Sequence, residues 1–382
     1  MRFRALLFLG ITFIVASEAF GQFSESDLRI FGYFQNTFIH QTEFIDSPEE
    51  NSFSVQQLNL FFQKDLARHW RTFVNFELLN NFSSSRQWGA FNLEEAWVRY
   101  RSNEKFNLKM GLHIPIFNHL NTIKNRTPLL PYVIRPLVYE TSFSEFIAVE
   151  EFTPARAFVQ AYGFLTLNKV KLDYALYLGN SPNINSRSSL GQTGVDTTNT
   201  FLIGGRLGIR YGELKVGLSA TRDNTNILQD AGRFLGGPAN RFEEIPRVRF
   251  GGDLSYHLGK FSLESEFIIV NYYDDTPEII IDKEFYYATL GYQVTEQLFV
   301  YGSYWLSEED FTQIFDTILA TGMNDIKVPT VGVAFNINDR IRFKGQFAPV
   351  DFELDTDAKV FELANLRNQE FNHYSVAVSI FF

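Results

Sequence analysis

Apolar and polar side chains alternate with a period of two along most of this chain, the signature of strands with unlike faces. In Asn372–Phe382, Tyr374, Val376, Val378, Ile380 and Phe382 share one face, and His373, Ser375, Ala377 and Ser379 share the other. The same rhythm sets Trp70, Thr72, Val74, Phe76 and Leu78 against Arg71, Phe73, Asn75 and Glu77. It also sets Val248, Phe250, Leu254 and Tyr256 against Arg247, Arg249 and Asp253. Sixteen stretches carry a strand signal: 28–39, 52–64, 70–80, 91–101, 106–116, 156–167, 170–180, 201–211, 214–221, 246–258, 261–272, 283–294, 298–308, 326–337, 341–350 and 372–382.

The connections alternate in length. Asp65–His69, Ser102–Lys105, Asn168-Lys169, Gly212-Glu213, Gly259-Lys260, Thr295–Gln297 and Asn338–Arg340 are short. The segments near 40–51, 81–90, 117–155, 181–200, 222–245, 273–282, 309–325 and 351–371 are long. Tight turns at one rim and long loops at the other predict an all-β, transmembrane antiparallel β-barrel of about 16 strands, with short periplasmic turns and long extracellular loops. Unpaired backbone groups in hydrocarbon cost several kcal/mol each, so such a sheet has to close. Sixteen strands leave an aqueous lumen. The rival architecture is a secreted β-sandwich or adhesin, which has no reason to sort its loops by rim.

Composition fits the barrel. Aromatic residues are 16% of the 382, with 41 Phe, yet charged residues are 20% and mean hydropathy is −0.12. Mixed lipid-facing and water-facing positions produce that combination, whereas a helical membrane protein would be more apolar. Arg2 and Arg4, the apolar run Ala5–Ala16 and Ala19-Phe20-Gly21 read as a signal peptide over residues 1–21. Residues 22–382 then form the barrel domain. Loss of Arg2, Arg4 and Glu18 would take the net charge from −10 to −11, which gives no support for nucleic-acid binding. The absence of cysteine excludes disulfides, thiolate metal sites and cysteine nucleophiles.

A cation on the lipid face at midplane costs about 2–4 kcal/mol, so charged residues out of phase with the apolar face should point inward. That assigns Arg71, Arg99, Arg101, Lys109, Lys171, Arg206, Arg210, Lys215, Arg247, Arg249, Arg342 and Lys344 to the inner wall. Fewer acids go there: Glu77, Glu95, Asp173, Asp253, Glu264 and Glu266. A basic wall concentrates anions, and the planar guanidinium suits carboxylate and phosphate. Neutralising Arg206, Arg210, Arg247 and Arg249 should therefore lower anion preference. The longest connection, 117–155, is the candidate constriction loop. It holds Lys124, Arg126 and Arg135 among prolines and apolar residues. Folding it inward would bury its apolar side and present those cations to the channel.

Asn92-Leu93-Glu94-Glu95-Ala96-Trp97-Val98-Arg99-Tyr100, followed by Phe106-Asn107-Leu108-Lys109-Met110-Gly111-Leu112-His113-Ile114-Pro115-Ile116, resembles the phosphate-selective porin O and P family. That family shows an acidic E-x-A-x-V strand and then a Lys/Arg-x-Gly strand running into Pro-Phe. Lys109 and Gly111 match, and Ile116 stands where Phe is common. The resemblance implies a sixteen-stranded outer-membrane porin, a homotrimer, with lumen arginines and an infolded loop. The partners expected are lipid, lipopolysaccharide and small polar or anionic solutes, with no cofactor.

An enzyme is not expected. His373-Tyr374-Ser375 has the His-x-Ser spacing of outer-membrane phospholipases, but both residues are out of phase with the apolar face, and such an enzyme needs them on the lipid side. The remaining histidines lack metal-ligand spacing. Asp274, Asp275, Glu308, Glu309, Asp310 and Asp355 are loop acids of a kind that can hold calcium but more often are solvated. Passive diffusion of small polar solutes is the leading function. The alternative is a non-transporting accessory barrel or surface receptor that binds a partner through its long loops.

Overall fold

The computed structural model describes residues 27–43, 48–82, 88–140, 155–181, 200–225, 245–273, 280–315, 318–356 and 368–382. The signal-peptide segment 1–21 lies outside them. The strands are β1 (Arg29–Gln41), β2 (Glu50–Ala67), β3 (Trp70–Phe82), β4 (Trp88–Arg101), β5 (Asn107–His113), β6 (Arg156–Leu167), β7 (Val170–Gly179), β8 (Leu202–Tyr211), β9 (Leu214–Thr225), β10 (Ile245–Leu258), β11 (Phe261–Tyr273), β12 (Ile280–Gln293), β13 (Leu298–Phe315), β14 (Ile318–Asn338), β15 (Ile341–Thr356) and β16 (Asn368–Phe381). Each pairs antiparallel with its chain neighbours, and β1 pairs with β16, so the barrel closes. The seam aligns Tyr33 with Phe381 and Gln41 with His373. At its short-turn end Gly32 and Phe382 exchange two backbone hydrogen bonds of 2.9 and 3.0 Å.

The short turns are closed by local chemistry. Asn168, Gly212 and Gly259 each take a positive φ, of 55°, 57° and 59°. They open two-residue hairpins, whose turns need a left-handed residue to match the twist of the flanking strands. In the longer turns Asn103 Oδ1 accepts the amides of Lys105 and Phe106, and Asn338 Oδ1 those of Arg340 and Ile341. Thr295 Oγ1 accepts from Gln297 and Leu298. A side-chain acceptor two residues back mimics a backbone turn.

At the other rim the wall is uneven. The connection expected near 309–325 is instead a continuation of β13 and β14, leaving only 316–317 between them. Glu308, Glu309 and Asp310 thus lie on β13 rather than in a loop. Polar residues there extend a ladder whose backbone groups are paired, so their charge does not interrupt it. Conversely β5 stops at His113, three residues before the predicted end, and the chain turns inward. Gly111 prepares that departure. Its φ is +125°, and a Cβ there would lie 2.3 Å from the carbonyl oxygen of Ala96. Pro329 and Pro349 occupy facing stretches of β14 and β15 in which register pairs are missing between Lys327–Asp351 and Val331–Phe347. Proline has no N–H to give a ladder.

Facing follows the alternation. Leu207, Ile209, Val331, Val376 and Leu218 are exposed on the outer surface, while Gln35, Asn59, Asn75, Thr37 and Ser379 are buried within. Leu207 sits at the middle of β8 and is 71% exposed. If that face meets hydrocarbon, Leu207→Arg will cost about 2–4 kcal/mol of stability in lipid vesicles. Urea titration of vesicle-folded protein measures this, and a loss under about 1 kcal/mol would place Leu207 outside the bilayer core.

Candidate functional site

The described part of the long loop, residues 114–140, lies inside the barrel. Its apolar side chains Phe117, Leu120, Leu130, Tyr132, Ile134, Leu137, Val138 and Tyr139 pack against Ile268, Val270, Tyr272, Phe285, Tyr287, Trp305, Ile326, Val328, Val350 and Phe352 of the inner wall. Each such burial contributes about 1.5–3 kcal/mol relative to exposure, so the segment is driven inward rather than into solvent. One side of the lumen, along β11–β15, is consequently filled. Here part of the inner face is apolar as well as the outer one, which simple alternation does not anticipate.

Polar side chains fix the loop in one place. Lys344 Nζ donates to the carbonyls of Thr127 (2.7 Å) and Tyr132 (3.0 Å) and to Gln35 Oε1 (2.8 Å). Gln346 pairs with the chain as a second backbone would, accepting from the Val133 and Ile134 amides at 2.7 and 2.9 Å and donating to the Ile134 carbonyl at 3.1 Å. Glu266 accepts from the Leu120 amide at 2.6 Å and from the Tyr139 hydroxyl at 2.7 Å. Burial and that carboxylate together push the Tyr139 phenol up, so it stays a donor. Asn118, at φ 50°, donates to the carbonyls of Gly252 and Phe267. It fits because Gly251 beside it has no side chain; a Cβ there would meet Asn118 Oδ1 at 2.6 Å.

Two bulges aim further anchors. Gln56 is the extra residue where the β1–β2 register shifts, and Glu94 where the β3–β4 register shifts. A bulge lets two consecutive side chains take the same side. Gln56 donates to the Val133 carbonyl at 3.1 Å, and Gln57 to the Asn125 carbonyl. Glu94 binds Asn125, and Glu95 pairs with Arg126 at 3.3 Å. Of these four, alternation places only Glu95 on the inner wall. The adjacent polar pairs Gln56-Gln57 and Glu94-Glu95 were the available signal, since each breaks the period of two.

An open cavity of about 620 Å³ remains beside the loop along β4–β10. Its cations are Arg99, Arg101, Lys109, Arg126, Arg206, Arg210 and Lys215, and its acids are Glu95, Glu104, Asp173 and Asp253. His119 borders it too, and burial holds that imidazole below its ordinary value. Of the three loop cations, only Arg126 reaches this space. Lys124 is fully buried, 5.8 Å from the Tyr139 ring centre, and Arg135 binds Glu140 and the Lys124 carbonyl. The expectation that the loop offers all three cations to the channel is corrected accordingly: burying the loop's apolar side carries Lys124 inward with it.

The wall arginines divide. Arg206 bridges Asp253 (2.7 and 2.8 Å) and Asp173, and Arg210 binds Asp173 at 3.0 Å. Arg247 grips Asp223 at 2.7 and 3.1 Å, and Arg249 shares that carboxylate at 3.1 Å. Neither Arg247 nor Arg249 borders the cavity. Arg342 binds Asn336 at 2.6 Å and the Leu129 carbonyl at 2.9 Å. By contrast Arg99 and Lys109 line the cavity with no ion pair among the described residues. His373 and Ser375 are buried on the inner face, away from lipid.

No family model and no curated protein matches the chain. Solved structures do. An anion-selective porin from Comamonas acidovorans superposes with a TM-score of 0.61 at 14% identity, over 94% of this chain and 100% of that one. OmpF of Salmonella typhi, solved with daunomycin, gives 0.59 at 10%, over 93% and 97%. The outer-membrane channel DcaP of Acinetobacter baumannii gives 0.58 at 11%, over 95% and 99%. The fold is therefore that of the sixteen-stranded outer-membrane porins.

The pairing predicts unequal costs. Asp223→Ala leaves two fully buried guanidiniums short of a carboxylate and should cost about 3–5 kcal/mol. Arg210→Ala, at a half-exposed position, should cost under about 1 kcal/mol. Chemical denaturation in detergent compares them, and equal losses would refute the buried triad as a structural element.

Proposed function

We propose that the chain is a pore of the outer membrane through which small polar solutes diffuse passively, with a preference for anions. The observation that carries this is the cavity: an infolded, firmly anchored loop narrows a closed barrel yet leaves a water-sized-to-solute-sized space with more cations than acids on its wall. A narrow, charged, low-dielectric passage selects by field strength and width without chemistry. Residues 1–21 act as the export signal in this reading, the short turns face the periplasm, and the barrel assembles as a homotrimer. The local likeness of residues 92–116 to the phosphate-selective porins O and P supports the same direction.

Selectivity is assigned to Arg99 and Lys109 rather than to the arginines along β8 and β10. The guanidiniums of Arg206, Arg210, Arg247 and Arg249 are held by Asp173, Asp253 and Asp223, and a paired charge projects a weaker field. The filled half of the lumen favours a second reading, in which the barrel does not conduct and serves as an accessory or receptor.

Planar-bilayer recording separates the two. Discrete conductance steps are expected, with reversal potentials in a salt gradient favouring anions. Arg99→Gln with Lys109→Gln should move the permeability ratio toward unity, and Arg247→Gln should move it little. Lys344→Met with Gln346→Leu should raise single-channel conductance, by about twofold or more, as the loop loses its hold. A silent barrel that co-purifies with another membrane protein would replace the pore with the accessory role.

A further inference from the structure

Within the cavity, one group of donors has no acceptor among the described residues. Arg99 faces Lys109 across β4 and β5, and Lys109 faces Gln160 across β5 and β6. Directly opposed residues on one face have Cβ atoms about 5 Å apart. All three line the cavity. Arg99 Nε and Gln160 Nε2 are buried and have no hydrogen-bond partner among the described residues. The Gln160 amide cannot simply rotate away, because its Oε1 accepts the Ile116 amide at 2.9 Å. Lys109 Nζ lies 5.5 Å from the Trp97 ring centre, and Trp97 itself stacks on Phe73 at 5.1 Å. The neighbouring acid is already engaged: Glu95 accepts from Trp97 Nε1 at 2.9 Å and pairs with Arg126 at 3.3 Å.

Like charges directly opposite one another destabilise a sheet, and a buried donor without an acceptor costs free energy. An anion seated among Arg99, Lys109 and Gln160 relieves both. The rest of the surroundings define what kind of anion. Ile114, Ile116 and Ile123 of the loop and Tyr162 and Phe164 of β6 form the adjacent lining. Phosphate carries acceptors on every side and loses hydration against such a surface without compensation. A carboxylate needs only the donors present, and an apolar body attached to it gains by leaving water.

We infer that Arg99, Lys109 and Gln160 form a subsite for small organic monocarboxylates with an apolar body, the apolar lining of the loop and β6 receiving that body. The inference rests on the anion-pore reading above and names the solute class for it.

Calorimetric titration of the detergent-solubilised protein tests it, with sodium benzoate, inorganic phosphate and the neutral benzamide as probes. Benzoate is expected to bind at least about tenfold tighter than either of the others. Arg99→Gln and Lys109→Gln should each weaken benzoate strongly, and Ile116→Thr should narrow its advantage over phosphate. Heat-modifiable migration on gels checks that each variant folds. Phosphate binding as tight as benzoate would overturn the organic class. Benzamide binding as tight as benzoate would overturn the role of charge, and no binding by any probe, or binding indifferent to Arg99 and Lys109, would overturn the subsite. Binding is read here without flow. A protein that binds benzoate but gives no conductance steps refutes transport alone, and one that conducts without discriminating benzoate refutes the subsite alone.

Discussion

Every amide and carbonyl that enters hydrocarbon must find a partner in the protein, and the β1–β16 seam is where this chain meets that demand. Once the ring is shut, each strand has one face turned out and one turned in. The interior becomes a separate solvent compartment whose contents are set by the same alternation. What fills it follows from a second application of the hydrophobic effect. The inner faces of β11–β15 carry a large apolar patch, which requires a cover, and the chain leaving β5 supplies it. The anchors then act as register pins: Gln346 and Lys344 on one side, the bulged Gln56 and Glu94 strands on the other. The open cavity is the remainder, lying where the inner wall is polar.

The barrel was legible in the sequence because its two signals are local. Alternation in segments such as 372–382 reports that the two faces meet different solvents, and dipeptides such as Gly212-Glu213 and Gly259-Lys260 report tight turns. Strand ends were less legible. At β13 and β14 the polar residues Glu308-Glu309-Asp310 and Asn324-Asp325 look like loop by composition, and only the cross-strand ladder makes them sheet. The filled half of the lumen left a trace that period-two reading discards. Phe267-Ile268-Ile269-Val270 is apolar without interruption, as expected where the inner face packs on the loop and the outer face is apolar too.

The candidate site was legible as a set of inward cations and not as an arrangement. Alternation places Arg99 and Arg249 on the same inner surface with equal weight. Nothing along the chain says that Asp223, lying between β8 and β10 on β9, takes up Arg247 and Arg249 together, or that Glu95 is spent on Arg126 and Trp97 before Lys109 can use it. Ion pairing across strands depends on register, and register depends on bulges that two adjacent polar residues only hint at. Gln160 carries no charge and so drew no attention, though its fixed amide completes the donor group.

The loop core gives the two sides of the cylinder different evolutionary freedom. Side chains along β11–β15 interlock with a packed segment on one face and meet the outer surroundings on the other, so change there is constrained from both directions. On β4–β9 many inner positions border the open cavity, and at those positions a new charge or a smaller ring alters the lining without touching the packed loop core. Divergence in the shape and charge of the cavity can therefore accumulate on one arc of the wall while the opposite arc preserves the mould.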